Sequence, residues 1–183
     1  IHVARIAPEY IWFRKGICWT LISSNKLHGF RLLDDNSTFN LAAPSVFFNN
    51  DRMMFYILGY LNSKFSQEII ALLNPTLNTN ISDITAQPFY YGKLPEQEDM
   101  VINLVSQNIA LSKADWDSFE TSWDFTRHPF IKAITKYPNR MDIGNIYLAE
   151  CYDIWAGECE ERFEKLKANE EELNRIFIDI YGL

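Results

Sequence analysis

A run of short polar side chains lies in the stretch "LLNPTLNTNISDITAQPF", from Leu72 to Phe89. Its amide and hydroxyl residues are Asn74, Thr76, Asn78, Thr79, Asn80 and Ser82. Such groups can form hydrogen bonds to phosphates and to base edges, and they lose little conformational entropy on binding. The chemistry that this stretch predicts is therefore binding of a nucleic acid.

A second polar group lies between Ser23 and Arg31, in a predicted strand-turn-strand. Lysine and arginine would hold phosphates or guanine edges there, and asparagine would read adenine. The ordinary alternative is a solvated hairpin, and for Lys64 it is a solvated charge on a helix. The predicted DNA-binding residues are Ser23, Ser24, Asn25, Lys26, His28, Arg31, Lys64, Thr76, Asn78, Thr79 and Asn80.

Patterns that would support catalysis or metal binding are absent from the sequence. The seven glycines are too widely spaced for a phosphate-binding loop. The three histidines are far apart and show no metal-ligand spacing with the three cysteines. No Asp/Glu-x-Lys triplet of a metal-dependent nuclease occurs, and no Gly-x-Ser-x-Gly elbow is present. We therefore expect no catalytic residue, metal or cofactor in this chain.

Length and composition predict one globular domain, or one domain with an appendage. The chain has 183 residues, of which 48% are hydrophobic, so it can form a packed core. Three cysteines indicate no disulfide framework, and no signal peptide or membrane span is recognisable. We therefore expect a cytoplasmic protein that is not associated with a membrane. Because the chain begins at Ile1, inside a predicted strand, we expect a fragment of a longer protein.

The net charge of −7 is unevenly distributed. Residues 1–92 carry seven Lys/Arg and six Asp/Glu, whereas residues 93–183 carry ten and eighteen. The net charges of the two parts are therefore +1 and −8. We expect any DNA-facing surface to lie in the first part, and the acidic second part to face solvent or another protein.

The first 48 residues predict short antiparallel strands, because β-branched and aromatic residues alternate with turn residues. The predicted strands are Ile1–Ile6, Tyr10–Phe13, Ile17–Ile22, Leu27–Leu33, Phe39–Leu41 and Val46–Phe48. A further edge strand is predicted over Pro88–Tyr91.

Apolar residues at helical spacing predict the remaining elements. One helix runs from Asn50 or Asp51 to the region of Leu72, and a short helix capped by Ser82 follows. The other predicted helices are Pro95 to about Leu111, a short one from Ser112, Pro129–Lys136, about Asp142–Lys167 and Glu170–Tyr181. The predicted fold class is α+β, with a β-rich recognition domain at 1–111 and a helical segment at 112–183.

The order of motifs around the polar loop resembles that of target recognition domains in DNA restriction-modification proteins. In type I specificity subunits, a "yLnSk" helix leads to a polar loop, then "dI…P", then "lPEQ" opening a helix. The corresponding residues here are Tyr60–Lys64, Asp83-Ile84, Pro88 and Leu94–Gln97.

Longer motifs resemble the C-terminal part of single-chain type IIG adenine-specific DNA methyltransferases, and most of all the PglX branch of BREX phage-defence systems. These motifs are "KGICWTLISS" (Lys15–Ser24), "LGYLNSK" (Leu58–Lys64), "LLNPTLN" (Leu72–Asn78), "SKADWDSFETSWDF" (Ser112–Phe125), "RHPF" (Arg127–Phe130) and "ANEEELNRIFIDIYGL" (Ala168–Leu183). The resemblance implies double-stranded DNA as a partner. It also implies an upstream methyltransferase domain that uses S-adenosylmethionine and is lacking here.

Asn74-Pro75-Thr76 is similar to the Asn-Pro-Pro-aromatic loop with which such enzymes hold a flipped-out adenine. In this chain the triplet ends a predicted amphipathic helix, and Thr76 and Leu77 replace the second proline and the aromatic residue. We therefore predict a helix stop rather than a catalytic loop.

The acidic second part suggests an alternative function, namely docking of other defence proteins or of a phage inhibitor. Trp116 and Trp123 could stack on single-stranded DNA. However, the nearby carboxylates would repel phosphate, which favours packing against a neighbouring domain. The two functions are compatible, one for each part of the chain.

Overall fold

The computed structural model describes residues 7–23, 28–136 and 148–183. A short 3-10 turn, Glu9–Ile11, precedes three strands. These are β1 (Gly16–Trp19), β2 (Phe30–Leu33) and β3 (Ser45–Phe47). Six helices follow within these described ranges: α1 (Asp51–Asn62), α2 (Lys64–Leu73), α3 (Ile81–Thr85), α4 (Pro95–Trp116), α5 (Pro129–Lys136) and α6 (Leu148–Ile180). Within this described part, N-terminal antiparallel strands followed by helices confirm the predicted α+β class.

The three strands form an antiparallel sheet in the order β2-β1-β3. Ile17, Trp19 and Phe30 are buried on one face, and α1 packs against β1 and β2. On the opposite face Cys18 is paired with Arg31 of β2 and Ser45 of β3, because side chains alternate along a strand. The sheet therefore has a core face and a more open face.

Two helix side chains take the place of a further strand beside β2. The Asn62 amide accepts the Phe30 N–H at 3.1 Å and donates to the Phe30 carbonyl at 3.0 Å. Gln67 accepts the His28 N–H at 3.0 Å and donates to the His28 carbonyl at 2.9 Å. The backbone N–H and C=O groups of residues 28 and 30 point to the same edge of the sheet. The two side-chain amides therefore satisfy backbone groups that an edge strand would leave unpaired.

The single helix predicted from residue 50 to residue 72 is wrong, because Ser63 divides it into α1 and α2. Ser63 has extended dihedral angles, φ −70° and ψ 151°, and its hydroxyl accepts the Ser66 N–H at 3.2 Å. Asn174 accepts the N–H of Lys64 at 2.7 Å and so satisfies a second open donor of α2. The apolar stripe continues across the break, and periodicity alone therefore did not reveal it.

Several predicted strands are absent or shorter. Residues 10 and 11 belong to the 3-10 turn and Phe13 has a positive φ of 52°, so Tyr10–Phe13 is not a strand. Phe39–Leu41 is not a strand either, and Phe39 instead packs on Phe47 with ring centroids 5.2 Å apart. β1 ends at Trp19 rather than at residue 22. The predicted strand at residues 1–6, and Leu27 of the next one, lie outside the described residues.

The Pro88–Tyr91 segment is not an edge strand, because two tyrosine side chains and not a neighbouring strand hold its backbone. The Tyr56 hydroxyl donates to the Tyr90 carbonyl at 2.7 Å, and the Tyr181 hydroxyl donates to the Pro88 carbonyl. The chain then turns at Gly92, which has a φ of +79°.

In the helical part, two pairs of predicted helices are each one continuous helix. The helices predicted to end at Leu111 and to begin at Ser112 form α4, and the last two predicted helices form α6. The predicted start of the first of these two, residues 142–147, lies outside the described residues. Gly182 (φ +67°) ends α6 as predicted. Its N–H donates to the Asp179 carbonyl, and the Leu183 N–H donates to the Ile178 carbonyl, which is a Schellman motif.

The chain divides into two compact units, Ile1–Val105 with Glu172–Leu183, and Ser106–Glu171. In the first unit Tyr60 is surrounded by the rings of Phe65, Phe89, Phe177 and Tyr181. In the second unit the rings of Phe119, Phe130 and Tyr152 surround Trp155. The predicted recognition domain at 1–111 and helical segment at 112–183 stay a prediction.

Within the described ranges, no helix combines the length and hydropathy that crossing a membrane requires. The same residues contain no group of three His, Cys, Asp or Glu side chains placed to hold a metal ion.

Candidate nucleic-acid interface

The structure pairs the start of the first predicted polar segment, at Ser23, with the second segment in a short β-ribbon. Ile22 and Asn78 form an antiparallel bridge. The Ser23 N–H donates to the Leu77 carbonyl at 3.0 Å, and the Thr79 N–H donates to the Leu21 carbonyl at 2.8 Å. We call these paired segments, residues 21–23 and 77–79, the ribbon.

The inner side of the ribbon is anchored in the core through Thr79. This residue is fully buried, and its carbonyl accepts the Trp19 indole N–H at 2.8 Å. Its hydroxyl lies 2.7 Å from Nδ1 of His28, which is also buried. Burial lowers the pKa of His28, and the Asp83 carboxylate partly opposes that shift. His28 and Thr79 thus hold the ribbon from inside and do not face solvent.

Asn74 determines the shape of the loop that leads into the ribbon. Its Nδ2 donates to the Asn78 carbonyl at 2.8 Å and to the Asp83 carboxylate at 2.7 Å. Its Oδ1 accepts the Thr76 N–H at 3.0 Å and the Thr76 hydroxyl at 2.6 Å. A side chain so fully engaged within its own loop is not available to hold a base, which agrees with the predicted helix stop.

Asp83 connects the loop to α3. Its carboxylate accepts the Asn80 N–H at 2.7 Å in addition to the Asn74 amide. Asn80 is therefore the residue that precedes α3, and the predicted cap at Ser82 is wrong because Ser82 lies inside that helix. No charged residue lies between residues 74 and 82, and the first carboxylate after them is already engaged.

The outer side of the loop and ribbon presents polar side chains to solvent. Thr76, Asn78 and Asn80 are all exposed. Arg31 is exposed on the open face of the sheet, and Lys64 is exposed at the start of α2. These two cations are on other elements and do not form part of the ribbon. Ser24, Asn25 and Lys26 lie outside the described residues.

Three residues that the sequence analysis did not select also contribute to this site. Ile22 is 60% exposed and stands opposite Asn78, Asp83 holds the loop, and Gln67 holds the backbone of His28. A carboxylate three residues after Asn80 is the spacing of a capping box, so Asp83 could have been found from the sequence. No local pattern marks Ile22 or Gln67, because both roles depend on residues distant in the chain.

The tryptophans of the acidic part are exposed within an ion-paired turn. Trp123 is fully exposed and Trp116 is more than half exposed. Near them in the chain, Lys113 pairs with Asp117 at 2.9 Å and with Asp124. The Ser122 hydroxyl and Lys113 together lower the pKa of Asp117, so this turn keeps its negative charge at neutral pH.

No family model matches the chain. It is 35% identical over 171 residues to the adenine-specific methyltransferase PglX of Lacticaseibacillus casei (strain Zhang), a match that covers 93% of this chain and 13% of that protein. It is 29% identical over 181 residues to the adenine-specific methyltransferase BrxX of Escherichia coli O9:H4 (strain HS), covering 98% and 14%.

The chain is thus homologous, over nearly its whole length, to a small portion of the PglX and BrxX adenine-specific methyltransferases. It spans 13% and 14% of the length of these two relatives, which is consistent with a fragment. The homology confirms the resemblance to PglX-type methyltransferases that the sequence motifs indicate.

Proposed function

We propose that this chain is the DNA sequence-recognition portion of an adenine-specific (N6) DNA methyltransferase that acts in a restriction-modification or BREX phage-defence system. The observation that carries the proposal is the ribbon, a hydrogen-bonded backbone platform that, with the adjoining loop, bears the exposed amide side chains of Asn78 and Asn80. Homology to two adenine-specific methyltransferases supplies the enzymatic context.

Recognition would follow from the outer side chains of the loop and ribbon. An asparagine can form two hydrogen bonds to the N6 and N7 atoms of adenine, and a two-stranded ribbon fits the major groove. Asn78, Asn80 and Thr76 are held on a backbone that Asn74 and Asp83 already order, so little loop entropy is lost on binding. Arg31 and Lys64 would contact phosphates.

Methyl transfer would take place elsewhere in the longer protein, where S-adenosylmethionine would supply the methyl group. The residues of this chain do not fit that cofactor, because the glycines are too widely spaced for a nucleotide-binding loop. Asn74, the one residue similar to a catalytic asparagine, is bonded within its own loop. In this proposal the chain chooses the site and does not catalyse the reaction.

A segment exchange tests the proposal. Residues 15–92 would replace the homologous segment of the L. casei PglX, and sequencing would map the methylated adenines. We expect the methylated motif to change, whereas exchange of residues 112–183 should leave it unchanged. An unaltered motif after the 15–92 exchange, in a chimera that still methylates DNA, would show that recognition lies elsewhere.

A second candidate function is docking of another defence protein, or of a phage inhibitor, through the acidic helical part. The fully exposed Trp123 favours it, because exposed aromatic residues are typical anchors of protein interfaces. The test is a pull-down with Trp123→Ala and with charge reversal at Glu158, Glu160 and Glu161. Loss of a captured partner would support docking, and retention of every partner by both variants would rule it out.

A further inference from the structure

We infer that Ile22 and Asn78 together read one A·T base pair, Asn78 through adenine and Ile22 through the methyl group of thymine. The inference rests on the proposed function and makes it specific, because it names the base pair and adds a residue that carries specificity. The two residues come from different segments and meet only in the folded chain.

The geometry of the ribbon places the two side chains side by side. Ile22 and Asn78 are directly opposite each other in an antiparallel bridge. Residues in such a pair project from the same face, with Cβ atoms about 5 Å apart. Thr79, the next residue along, is fully buried on the inner face. By alternation, Asn78 and its partner Ile22 project outward, and both are exposed.

The chemistry of this pair matches the major-groove edge of an A·T base pair. Adenine presents the N7 acceptor and the N6 amino donor, which an asparagine amide can engage together. Thymine presents a methyl group, which favours contact with an apolar side chain. A G·C pair offers no methyl group and a different pattern of donors and acceptors. An amide beside a branched aliphatic side chain is therefore selective for A·T.

The segment that carries Asn78 contains no charged residue, although the exposed aliphatic side chains Leu77 and Ile81 also belong to it. The segment from residue 74 to residue 82 is uncharged, so it does not repel phosphates. Asp83 is occupied by the Asn74 amide and the Asn80 N–H. The ribbon backbone is fixed by the bonds between Ser23 and Leu77 and between Thr79 and Leu21. Both side chains are therefore presented on a backbone that binding does not need to order.

The test changes one recognition group of a base at a time. The 183-residue chain first selects duplexes from a random pool at low salt. In the selected duplex, each thymine is then replaced by deoxyuridine, which lacks the methyl group, and each adenine by 7-deazaadenine, which lacks N7. Affinities are compared for the wild type, Ile22→Ala, Ile22→Val and Asn78→Ala. Leu72→Ala, another exposed aliphatic residue, is the control.

At one base pair of the selected duplex, we expect the affinity of the wild type to fall about fourfold when the thymine methyl group is removed. A loss of that size corresponds to the burial of one carbon atom with its hydrogens. Ile22→Ala should bind thymine and uracil equally there, whereas Ile22→Val and Leu72→Ala should keep discrimination. Asn78→Ala should lose its sensitivity to 7-deazaadenine at the same pair. Retained discrimination in Ile22→Ala would overturn the inference alone. Failure of the wild type to select any sequence would overturn the proposed function as well.

Discussion

Hydrogen bonds made by single residues explain why the loop can present its outer side chains in one arrangement. Asn74 satisfies the Asn78 carbonyl and the Thr76 N–H, which would otherwise need water. Thr79 joins the loop to the core through the Trp19 indole and His28. The side chains that we propose to read DNA, Asn78 and Asn80, are exposed, whereas Asn74 and Thr79 of the same loop are occupied internally.

His28 should make the stability of the ribbon depend on pH. Its pKa is lowered by burial from an ordinary value of 6.5, so the unfolded chain takes up the proton before the folded chain does. The stabilisation is fully present above pH 6.5 and is lost as the pH falls through the folded-state pKa. We expect the free energy of unfolding, measured by urea denaturation, to be lower at pH 5.5 than at pH 7.5.

The control for this prediction is the variant His28→Gln, because a glutamine side chain does not take up a proton in this pH interval. Its unfolding free energy should change less over the same interval, even though the variant is less stable at both pH values. Equal changes in the wild type and the variant would show that other groups cause the pH dependence.

At the level of the elements, the fold ends its sheet with side chains instead of a further strand. Asn62 and Gln67 each make two hydrogen bonds to one residue beside or within β2. Because the helix breaks at Ser63, Asn62 is the last residue of α1 and Gln67 lies in α2. The "LNSK" motif therefore has a structural meaning: Asn62 closes the sheet edge and Ser63 starts the next helix.

Close packing of α1 requires a glycine at position 59. A Cβ atom there would lie 2.7 Å from Cγ2 of Val105 and 3.2 Å from Cγ1 of Val101. Alanine favours a helix by about 1 kcal/mol over glycine, but overpacking a rigid core costs about 1–3 kcal/mol. We therefore expect Gly59→Ala to lower the melting temperature, measured by circular dichroism.

Gly157 is the control, because it also lies within a helix but has open space around its Cα. Gly157→Ala should raise stability by about 0.5–1 kcal/mol. If both substitutions stabilised the protein, the close approach at Gly59 would not limit packing.

Over the whole molecule, the distribution of charge limits how this chain can bind DNA. The net charge of +1 over residues 1–92 is small, and part of that positive charge is already engaged. Arg52 pairs with Asp99, and Arg14 donates to the Phe48 carbonyl. Few phosphates can be neutralised, so affinity would depend on base contacts and would weaken as salt rises.

Lys64 and Arg52 are both exposed cations, but Arg52 is paired with Asp99. Their contributions to the salt dependence of DNA binding can therefore be compared. Lys64→Ala should reduce the slope of log affinity against log salt concentration by about 1 and leave the selected sequence unchanged. Arg52→Ala should leave the slope close to that of the wild type, because Asp99 already neutralises the guanidinium. The measurement is a salt titration of binding to the selected duplex. A slope that responds equally to both substitutions would contradict phosphate binding by Lys64.

The sequence by itself determined those features that depend on residues close to one another along the chain. The antiparallel strands β1 to β3, the helix beginning at Pro95, α5 and the end of α6 at Gly182 follow from turn residues, proline and glycine positions and apolar periodicity. The same local reasoning identified the polar loop and excluded a catalytic Asn-Pro-Pro-aromatic motif. The family motifs were also readable from the sequence.

Only the tertiary structure decided which polar residues face outward. Thr79 and His28 are 51 residues apart in the chain, and their contact buries both. The bridge between the two ribbon segments leaves Ile22 exposed beside Asn78. Periodicity along one segment shows which of its faces is apolar, but it does not show which distant segment will cover that face. Burial of a polar residue, and exposure of an apolar one, therefore depended on contacts that form only in the folded chain.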